Sequence, residues 1–190
     1  MAPRVIAAAV AALALSGLAG AAQAQNTPPP AYQWAAQAGD VPASVLFAVA
    51  LQESGIHRNG RTVPWPWTLN IAGTPNRYSN RRDACAALRS ALTQVSATRI
   101  DVGLGQINVG YHGHRVKKPC ELLDPHQNLL IAAAILREQH QTGDDWLIAI
   151  GRYHRPAGGE AAVRYRRSVT RHLIRVLGAD HRNILAQELK

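Results

Sequence analysis

The amino-acid sequence predicts a single, mainly α-helical domain with one small β element. Apolar residues recur at helical spacing along five segments. An Asp or Asn precedes four of these segments, where its side chain can accept hydrogen bonds from the free N–H groups of a first turn. Residues 100–111 break this pattern with three glycines and suit a turn or a short hairpin. These three observations favour helices packed around one core.

Residues 1–24 have the pattern of a secretory signal peptide. Arg4 supplies a positive charge, residues 5–15 are apolar, and residues 22–24 form the small-x-small pattern of a cleavage site. A membrane anchor is the alternative, but the apolar run is shorter than the roughly 20 residues that span a bilayer. The sequence therefore predicts export to the periplasm.

The remaining 166 residues suit one domain, which we expect at residues 32–190 after a proline-rich linker at residues 25–31. No later stretch is long and apolar enough to cross a bilayer, so we expect no transmembrane segment after signal removal. Cys85 and Cys120 form an even pair in an exported chain, which favours one disulfide over two free thiols.

The chain carries a formal net charge of +9, which attracts anionic partners such as wall polymers, acidic lipids or nucleic acid. Export and the absence of a binding motif argue against nucleic acid. We expect no cofactor and no metal, because His112 and His114 lack a nearby Cys or carboxylate at metal-ligand spacing.

The first helix is predicted to begin at a cap formed by Asp40 and to accept Pro42 in its first turn. Glu53 ends its apolar stripe at the edge of the core, where desolvation raises the pKa of a carboxyl group. A glutamic acid that stays protonated near neutral pH can act as a general acid. The alternative is an ordinary solvent-exposed glutamate.

Residues 57–80 are rich in Gly, Pro and Asn and are predicted to form a long ordered loop. Trp65 and Trp67 either anchor this loop or stack on sugar rings. Asn80 is predicted to cap a packing helix that extends to Val95.

Three further helices follow in the second half of the chain. Asp124 and Pro125 begin one that Gly143 ends, and Asp144 begins a short one whose inward stripe ends at Tyr153. The last helix runs over residues 160–177 up to Gly178. Its inward side chains are Tyr165, Val169, Leu173 and Val176, and its outward ones are Arg164, Arg167, Arg171 and Arg175.

Four ordered motifs resemble those of the soluble lytic transglycosylase family. Residues 41–54 resemble the first motif, which ends in Glu-Ser, and residues 101–108 resemble the second, Gly-Leu-Met-Gln plus an apolar residue. Residues 124–128 resemble the third, and residues 149–153 stand where the family has Ala-Tyr-Asn. Residues 65–73 look like an insert of the branch associated with conjugative elements and type IV secretion.

The resemblance implies a lysozyme-like fold and peptidoglycan glycan strands as substrate, with Glu53 as the only catalytic carboxylate. It implies a sugar-binding role for Ser54, Gly103, Gln106, Asn108 and Tyr153. Taken alone, Gln106 would be expected to satisfy backbone groups in a turn, and Tyr153 to be a core aromatic with its hydroxyl hydrogen-bonded. Secretion or conjugation machinery is the partner that the resemblance implies.

The implied reaction forms 1,6-anhydromuramic ends. A hydrolytic muramidase on the same fold and a non-catalytic wall-binding scaffold are the alternatives. Asp101 is the other carboxylate near the second motif, and its neighbouring glycines favour a turn or a helix cap. Two departures from the family motifs affect sugar binding. Gly105 replaces the methionine of the second motif, and His154 replaces the asparagine that follows the motif tyrosine. The imidazole of His154 can replace the hydrogen bond of the amide or introduce pH sensitivity.

Overall fold

The computed structural model describes residues 27–178, and helices provide most of the backbone in this range. They are α1 (Pro30–Ala38), α2 (Ala43–Ser54), α3 (Arg81–Leu92), α4 (Val109–His112), α5 (Pro125–Gln139), α6 (Trp146–His154) and α7 (Glu160–Leu177). Short 3₁₀ turns lie at Ala97–Arg99, Gly113–Arg115 and Pro119–Leu123. The prediction of a mainly α-helical chain is confirmed. The predicted signal peptide and the first part of the predicted linker lie outside the described residues.

No single helix between residues 27 and 178 is long and apolar enough to cross a membrane. Only jointly do α1 and α2 reach the required length and composition, and the chain bends by 115° between them.

Helix α2 lies at the centre of the core. Seven of its twelve residues are buried, on nearly all sides of the helix, as expected for a helix that other elements surround. It packs against α1, α5 and α7, and α6 packs against α5 and α7. The largest fully buried side chains include Leu46 of α2, Leu136 of α5 and Ile150 of α6. Each such side chain contributes about 1.5–3 kcal/mol by leaving water.

In the described part of the chain, six strands form two antiparallel sheets beside these helices. They are β1 (Gly55–Arg58), β2 (Arg61–Pro64), β3 (Thr68–Ile71), β4 (Thr74–Arg77), β5 (Ile100–Val102) and β6 (Ile107–Asn108). The first sheet is the hairpin β1-β2, and the second has the order β4-β3-β5-β6. The predicted hairpin within residues 100–111 is confirmed as β5-β6.

The predicted loop over residues 57–80 is wrong, because most of that segment forms the two hairpins β1-β2 and β3-β4. Each hairpin turns on two residues with positive φ: 49° and 74° at Asn59 and Gly60, and 53° and 90° at Ala72 and Gly73. Two positive φ values in succession define the type I′ turn that joins adjacent strands, and Asn-Gly is its strongest sequence signal. Gly and Asn mark tight turns here.

The second sheet has one apolar and one polar face. Leu69 lies opposite Val102, which lies opposite Ile107, and all three side chains are buried in the core. One residue along, Asn70 lies opposite Asp101, which lies opposite Asn108. Because side chains alternate across a strand, this polar row lies on the face away from the core.

Two predicted helix starts are wrong. Helix α2 begins after Pro42, while Asp40 has a φ of 52° and its carboxylate pairs with Arg137 at 3.2 Å. Helix α6 is capped by Asp145, which accepts a hydrogen bond from the Leu147 N–H at 2.9 Å. Asp144 pairs with Arg152 instead. In both cases the aspartate that was expected to cap the helix forms an ion pair with an arginine instead.

Some of the other predicted helix boundaries agree with the structure, and some do not. Asn80 caps α3 and Asp124 caps α5 through backbone N–H groups at 3.0 Å, as predicted. Helix α7 has the predicted bounds and ends at Gly178, where φ is 84°. Helices α3 and α5 end before Val95 and Gly143, and α1 begins at Pro30, inside the predicted linker. Proline is favoured at the first position of a helix because the N–H it lacks would have no partner there.

The predicted disulfide between Cys85 and Cys120 is confirmed, with an S–S distance of 2.04 Å. It joins α3 to the 3₁₀ turn that precedes α5. The Arg81 guanidinium donates to the Cys120 carbonyl at 3.1 Å beside it. This connection fixes the segment that leads into α5.

We expect the double substitution of Cys85 and Cys120 by Ser to lower the free energy of unfolding by about 2–4 kcal/mol. The reason is that the disulfide closes a loop of 35 residues and so restricts the unfolded chain. Urea unfolding of both proteins, followed by circular dichroism, measures the difference. Equal midpoints would contradict the expectation.

Candidate active site

A cleft of about 770 Å³ lies along the polar face of the second sheet. Helices α2, α4, α5 and α6 and the segment after α6 complete its walls. Its lining residues are Glu53, Thr68, Asn70, Gly73, Pro75, Arg77, Asp101, Gln106, Ile107, Asn108, Tyr111, His112, Ile135, Tyr153, His154, Arg155 and Pro156. Four of the six predicted site residues are among them: Glu53, Gln106, Asn108 and Tyr153.

Glu53 stands at the penultimate position of α2, where the central helix meets the cleft. Burial among the surrounding elements raises the pKa of its carboxyl group to about 7, against an opposing hydrogen bond from Tyr165. The charge of Asp101 adds to the increase. The predicted desolvation of this carboxyl group is confirmed. A group with this pKa can donate and accept a proton near neutral pH.

Tyr165 holds the Glu53 carboxyl group from the core side. Its hydroxyl donates a hydrogen bond to Glu53 Oε1 at 2.5 Å, across 112 residues of sequence. The sequence predicted only an inward core side chain at this position of α7. The ring of His154 stacks on the Tyr165 ring, with centroids 4.5 Å apart and an angle of 4° between the planes.

His154 occupies the position of the motif asparagine, and it lines the cleft beside Tyr165. Desolvation lowers the pKa of its imidazole, and the charge of Asp101 partly opposes this change. Its ring stacking, rather than an amide hydrogen bond, is what this departure from the family pattern brings to the cleft.

Asp101 is a second carboxylate in the cleft. The predicted turn or cap role is wrong, because Asp101 lies within β5 and faces the polar side of the sheet. One of its oxygens accepts from Asn108 Nδ2 at 2.7 Å and the other from Asn70 Nδ2 at 3.2 Å. Burial raises the pKa of this carboxyl group, and the two amide hydrogen bonds oppose the increase.

The loop at residues 103–106 connects β5 to β6, and its residue Gln106 lines the cleft. Gln106 lies in this loop with a φ of 46°, and its Nε2 donates to the carbonyls of Gly103 at 2.8 Å and Thr68 at 3.2 Å. Both amide protons of Gln106 thus satisfy backbone groups. Its Oε1 is the atom left to accept a hydrogen bond from a substrate.

Asn128 of α5 fixes this loop, a role that the sequence did not reveal beyond its place in the third motif. Its fully buried amide accepts from the Gly105 N–H at 2.8 Å and donates to the carbonyls of Leu122 at 2.8 Å and Val102 at 2.9 Å. Gly103 packs against it with a φ of 82°, and a Cβ there would lie 2.3 Å from Asn128 Nδ2. Gly103 is therefore buried within this loop and does not line the cleft.

Ser54 is also placed away from the cleft. Its hydroxyl is completely buried and lies 2.8 Å from the Leu104 carbonyl and 3.1 Å from the Ala50 carbonyl. The predicted contact of Ser54 with sugar does not fit this position. Ser54 instead ties the end of α2, which carries Glu53, to the loop at residues 103–106.

Tyr153 and Gly105 form a close contact between α6 and the same loop. The Tyr153 hydroxyl donates to the Gly105 carbonyl at 2.7 Å. A Cβ at Gly105 would lie 2.9 Å from this hydroxyl oxygen and 2.8 Å from the Ala132 Cβ. The side chain of the motif methionine would have no space here, which gives the Gly105 departure a physical reason.

Trp65 and Trp67 anchor their segment instead of lining the cleft. Their rings meet edge to face at 5.7 Å, and Trp65 Nε1 donates to the Tyr78 carbonyl at 2.7 Å. Of the two roles that the sequence allowed, the structure supports packing.

The part of the chain between residues 27 and 178 brings together no group of three or more His, Cys, Asp or Glu side chains that could hold a metal ion.

Residues 30–174 match the family model described as the transglycosylase SLT domain. No curated protein and no solved structure matches the chain. The matched residues run from the first residue of α1 into the last turn of α7, and they include every residue that lines the cleft.

Proposed function

The chain belongs to the SLT transglycosylase family, and from this premise we propose that Glu53 is the general acid and base that cleaves its substrate. Family members have a lysozyme-like fold, so the predicted fold class is confirmed, and they are lytic transglycosylases that act on peptidoglycan. The observation that carries the proposal is the position of Glu53 at the end of α2, where its carboxyl group lines the cleft and accepts a hydrogen bond from Tyr165. Burial raises the pKa of this group to about 7, which suits the role.

In the first step, the Glu53 carboxyl group donates its proton to the oxygen that bridges N-acetylmuramic acid and N-acetylglucosamine. The bond between this oxygen and C1 of the muramic sugar breaks, and its electron pair stays on the oxygen, which becomes the 4-hydroxyl of the leaving sugar. Positive charge then develops at C1. The pKa of Glu53 permits this step because much of the group is protonated near pH 7.

In the second step, the Glu53 carboxylate removes the proton from the muramic 6-hydroxyl, and O6 bonds to C1. The product is a 1,6-anhydromuramic end, no water is consumed, and Glu53 regains its proton. The hydrogen bond from Tyr165 supports this step because it stabilises the carboxylate and holds its orientation between the two proton transfers.

Asp101 would stabilise the positive charge that develops at C1. Asn70 and Asn108 hold both of its oxygens, so its carboxylate is oriented before substrate binds. Preorganised charge of this kind usually makes the largest single contribution to catalysis.

The presence of Asp101 also favours a second candidate reaction, a hydrolytic muramidase. Ordinary glycosidases use two carboxyl groups, one as acid and one as base or nucleophile. Asp101 and Glu53 share one cleft, so Asp101 could activate a water molecule for attack on C1. The product would then be a reducing muramic end.

Mass spectrometry of muropeptides released from purified peptidoglycan by residues 25–190 separates the two reactions. We expect anhydromuramic products. Reducing muramic ends without anhydro products would overturn the lytic mechanism in favour of the muramidase. No release of either product would support the non-catalytic scaffold.

The pH dependence should report the pKa of Glu53. We expect the rate to fall as the pH rises through about 7, because the acid needed for the first step loses its proton. In Tyr165→Phe the hydrogen bond that lowers this pKa is lost, so the falling limb should move to higher pH. Initial rates of muropeptide release across pH measure both profiles.

Tyr78→Phe serves as the matched control for Tyr165→Phe, because Tyr78 lies outside the cleft. Its profile should equal that of the unchanged protein. An unshifted limb in Tyr165→Phe would show that the group titrating in the profile is not Glu53.

Peptidoglycan as substrate implies a location outside the cytoplasm. We further propose that residues 1–24 direct export to the periplasm and that the enzyme opens the wall locally for secretion or conjugation machinery. The support for this role is the resemblance of residues 65–73 to the conjugative branch. Cell fractionation tests the export step: we expect the protein in the periplasm without residues 1–24, and its recovery from the cytoplasm alone would contradict export.

A further inference from the structure

Tyr111 is an exposed aromatic side chain in the wall of the cleft. Three large apolar side chains between residues 27 and 178 are exposed: Trp34 at 52%, Tyr111 at 68% and Ile148 at 37%. Tyr111 is the one among them that lines the cleft. Such exposure forgoes the stabilisation that burial of the ring would bring, so the stability of the fold does not account for it.

The backbone of Tyr111 is held firmly. Asn108 Oδ1 accepts hydrogen bonds from the N–H groups of Gly110 at 3.1 Å and Tyr111 at 3.2 Å. Gly110 packs so closely on Thr98 that an added Cβ would lie 2.6 Å from Thr98 Cγ2. The short helix α4 is thus fixed at both its cap and its packed side, which keeps the backbone of Tyr111 at the wall of the cleft.

Asn108 also connects this wall of the cleft to Asp101, which together with Glu53 forms the reacting centre of the proposed mechanism. The same amide group that caps α4 donates to Asp101 through Nδ2 at 2.7 Å. Tyr111 therefore follows the polar row Asn70, Asp101 and Asn108 as the next cleft residue along the chain after Asn108. A glycan strand bound over this row would therefore share the cleft with the phenol ring.

We propose that Tyr111 is the stacking platform of a sugar subsite next to the reacting centre. The C–H groups on one face of a pyranose ring pack well on an aromatic face, while the phenol hydroxyl stays in water. Trp65 and Trp67 are packed into their own segment and leave this role open. The inference rests on the proposed function, because it takes the ligand to be a glycan strand of peptidoglycan.

The test measures binding without turnover. Isothermal titration of Glu53→Gln protein with soluble peptidoglycan glycan strands is compared with titration of Glu53→Gln/Tyr111→Ala. We expect the double variant to bind about tenfold more weakly, which corresponds to roughly 1.4 kcal/mol. Tyr111→Phe in the same background should bind within about twofold of the parent, because it keeps the ring.

Trp34→Ala in the same background is the matched control, since it removes the other exposed aromatic ring, which lies on α1 outside the cleft. It should bind like the parent. Equal binding by the Tyr111→Ala and parent proteins, or an equal loss in Trp34→Ala, would overturn the proposal.

This outcome is separate from that of the proposed function. Cleavage by the unchanged protein with no effect of Tyr111→Ala on binding would refute the subsite alone. Binding that depends on Tyr111 without any cleavage by the unchanged protein would refute the proposed reaction alone. Circular dichroism of each variant verifies that the fold is retained.

Discussion

Substitution of Glu53 by Gln is expected to lower the rate of muropeptide release by about 10³-fold or more. An acid or base acting in the transition state commonly contributes 10²–10⁴-fold, and here one group performs both proton transfers. The amide has nearly the same shape as the carboxyl group and its oxygen can still accept from the Tyr165 hydroxyl. The substitution therefore removes the proton and leaves the packing of α2 in place.

Glu160→Gln provides the control for this experiment, because Glu160 is an exposed carboxylate at the start of α7. We expect its rate of release to equal that of the unchanged protein. Near-normal release by Glu53→Gln would transfer the acid role to another group, for which Asp101 is the other carboxylate that lines the cleft.

The largest expected effect on stability follows from Asn128→Leu. The substitution removes three hydrogen bonds and leaves the Gly105 N–H and the carbonyls of Val102 and Leu122 without their partner. A buried polar group left without a partner costs about 1–3 kcal/mol. Partial relaxation reduces the sum, so we expect the free energy of unfolding to fall by about 3–5 kcal/mol.

Urea unfolding followed by tryptophan fluorescence measures this loss. The control is Asn76→Leu, because the amide of Asn76 makes a surface hydrogen bond to the Thr74 carbonyl. Its effect should stay within about 0.5 kcal/mol. A loss below about 1 kcal/mol in Asn128→Leu would mean that the loop at residues 103–106 keeps its conformation without this amide.

The helices were predictable because their signals are local. Asn80 and Asp124 stand directly before apolar residues at helical spacing, and Gly178 follows α7. The predicted cap at Asp40 is wrong, because α2 begins after Pro42. The Asp40 carboxylate pairs instead with Arg137, which lies 97 positions further along the chain. Competition between a cap and a distant ion pair cannot be read from neighbouring residues.

The hairpins at β1-β2 and β3-β4 were missed for a different reason. Asn59-Gly60 is a strong hairpin signal, and Thr68 to Ile71 alternate between polar and apolar side chains. An abundance of Gly, Pro and Asn favours a loop when only composition is considered, although in hairpins those residues are concentrated at the turns.

The cleft was predictable only in part. Glu53, Gln106 and Tyr153 were found through motifs whose order is visible in the sequence. The Tyr165 hydrogen bond to Glu53 joins α7 to α2, and the amides around Asp101 come from two neighbouring strands. These contacts depend on which elements become neighbours in space, and the pattern of a single segment contains no such information.

The close contact at Gly105 constrains the order in which this sequence can change. A larger residue there would collide with Ala132 and the Tyr153 hydroxyl, so it becomes acceptable only after one of those neighbours has become smaller or has moved. Substitutions at the three positions are thus conditional on one another. A methionine at position 105 would therefore require at least two substitutions. The single substitution Gly105→Met would destabilise the fold.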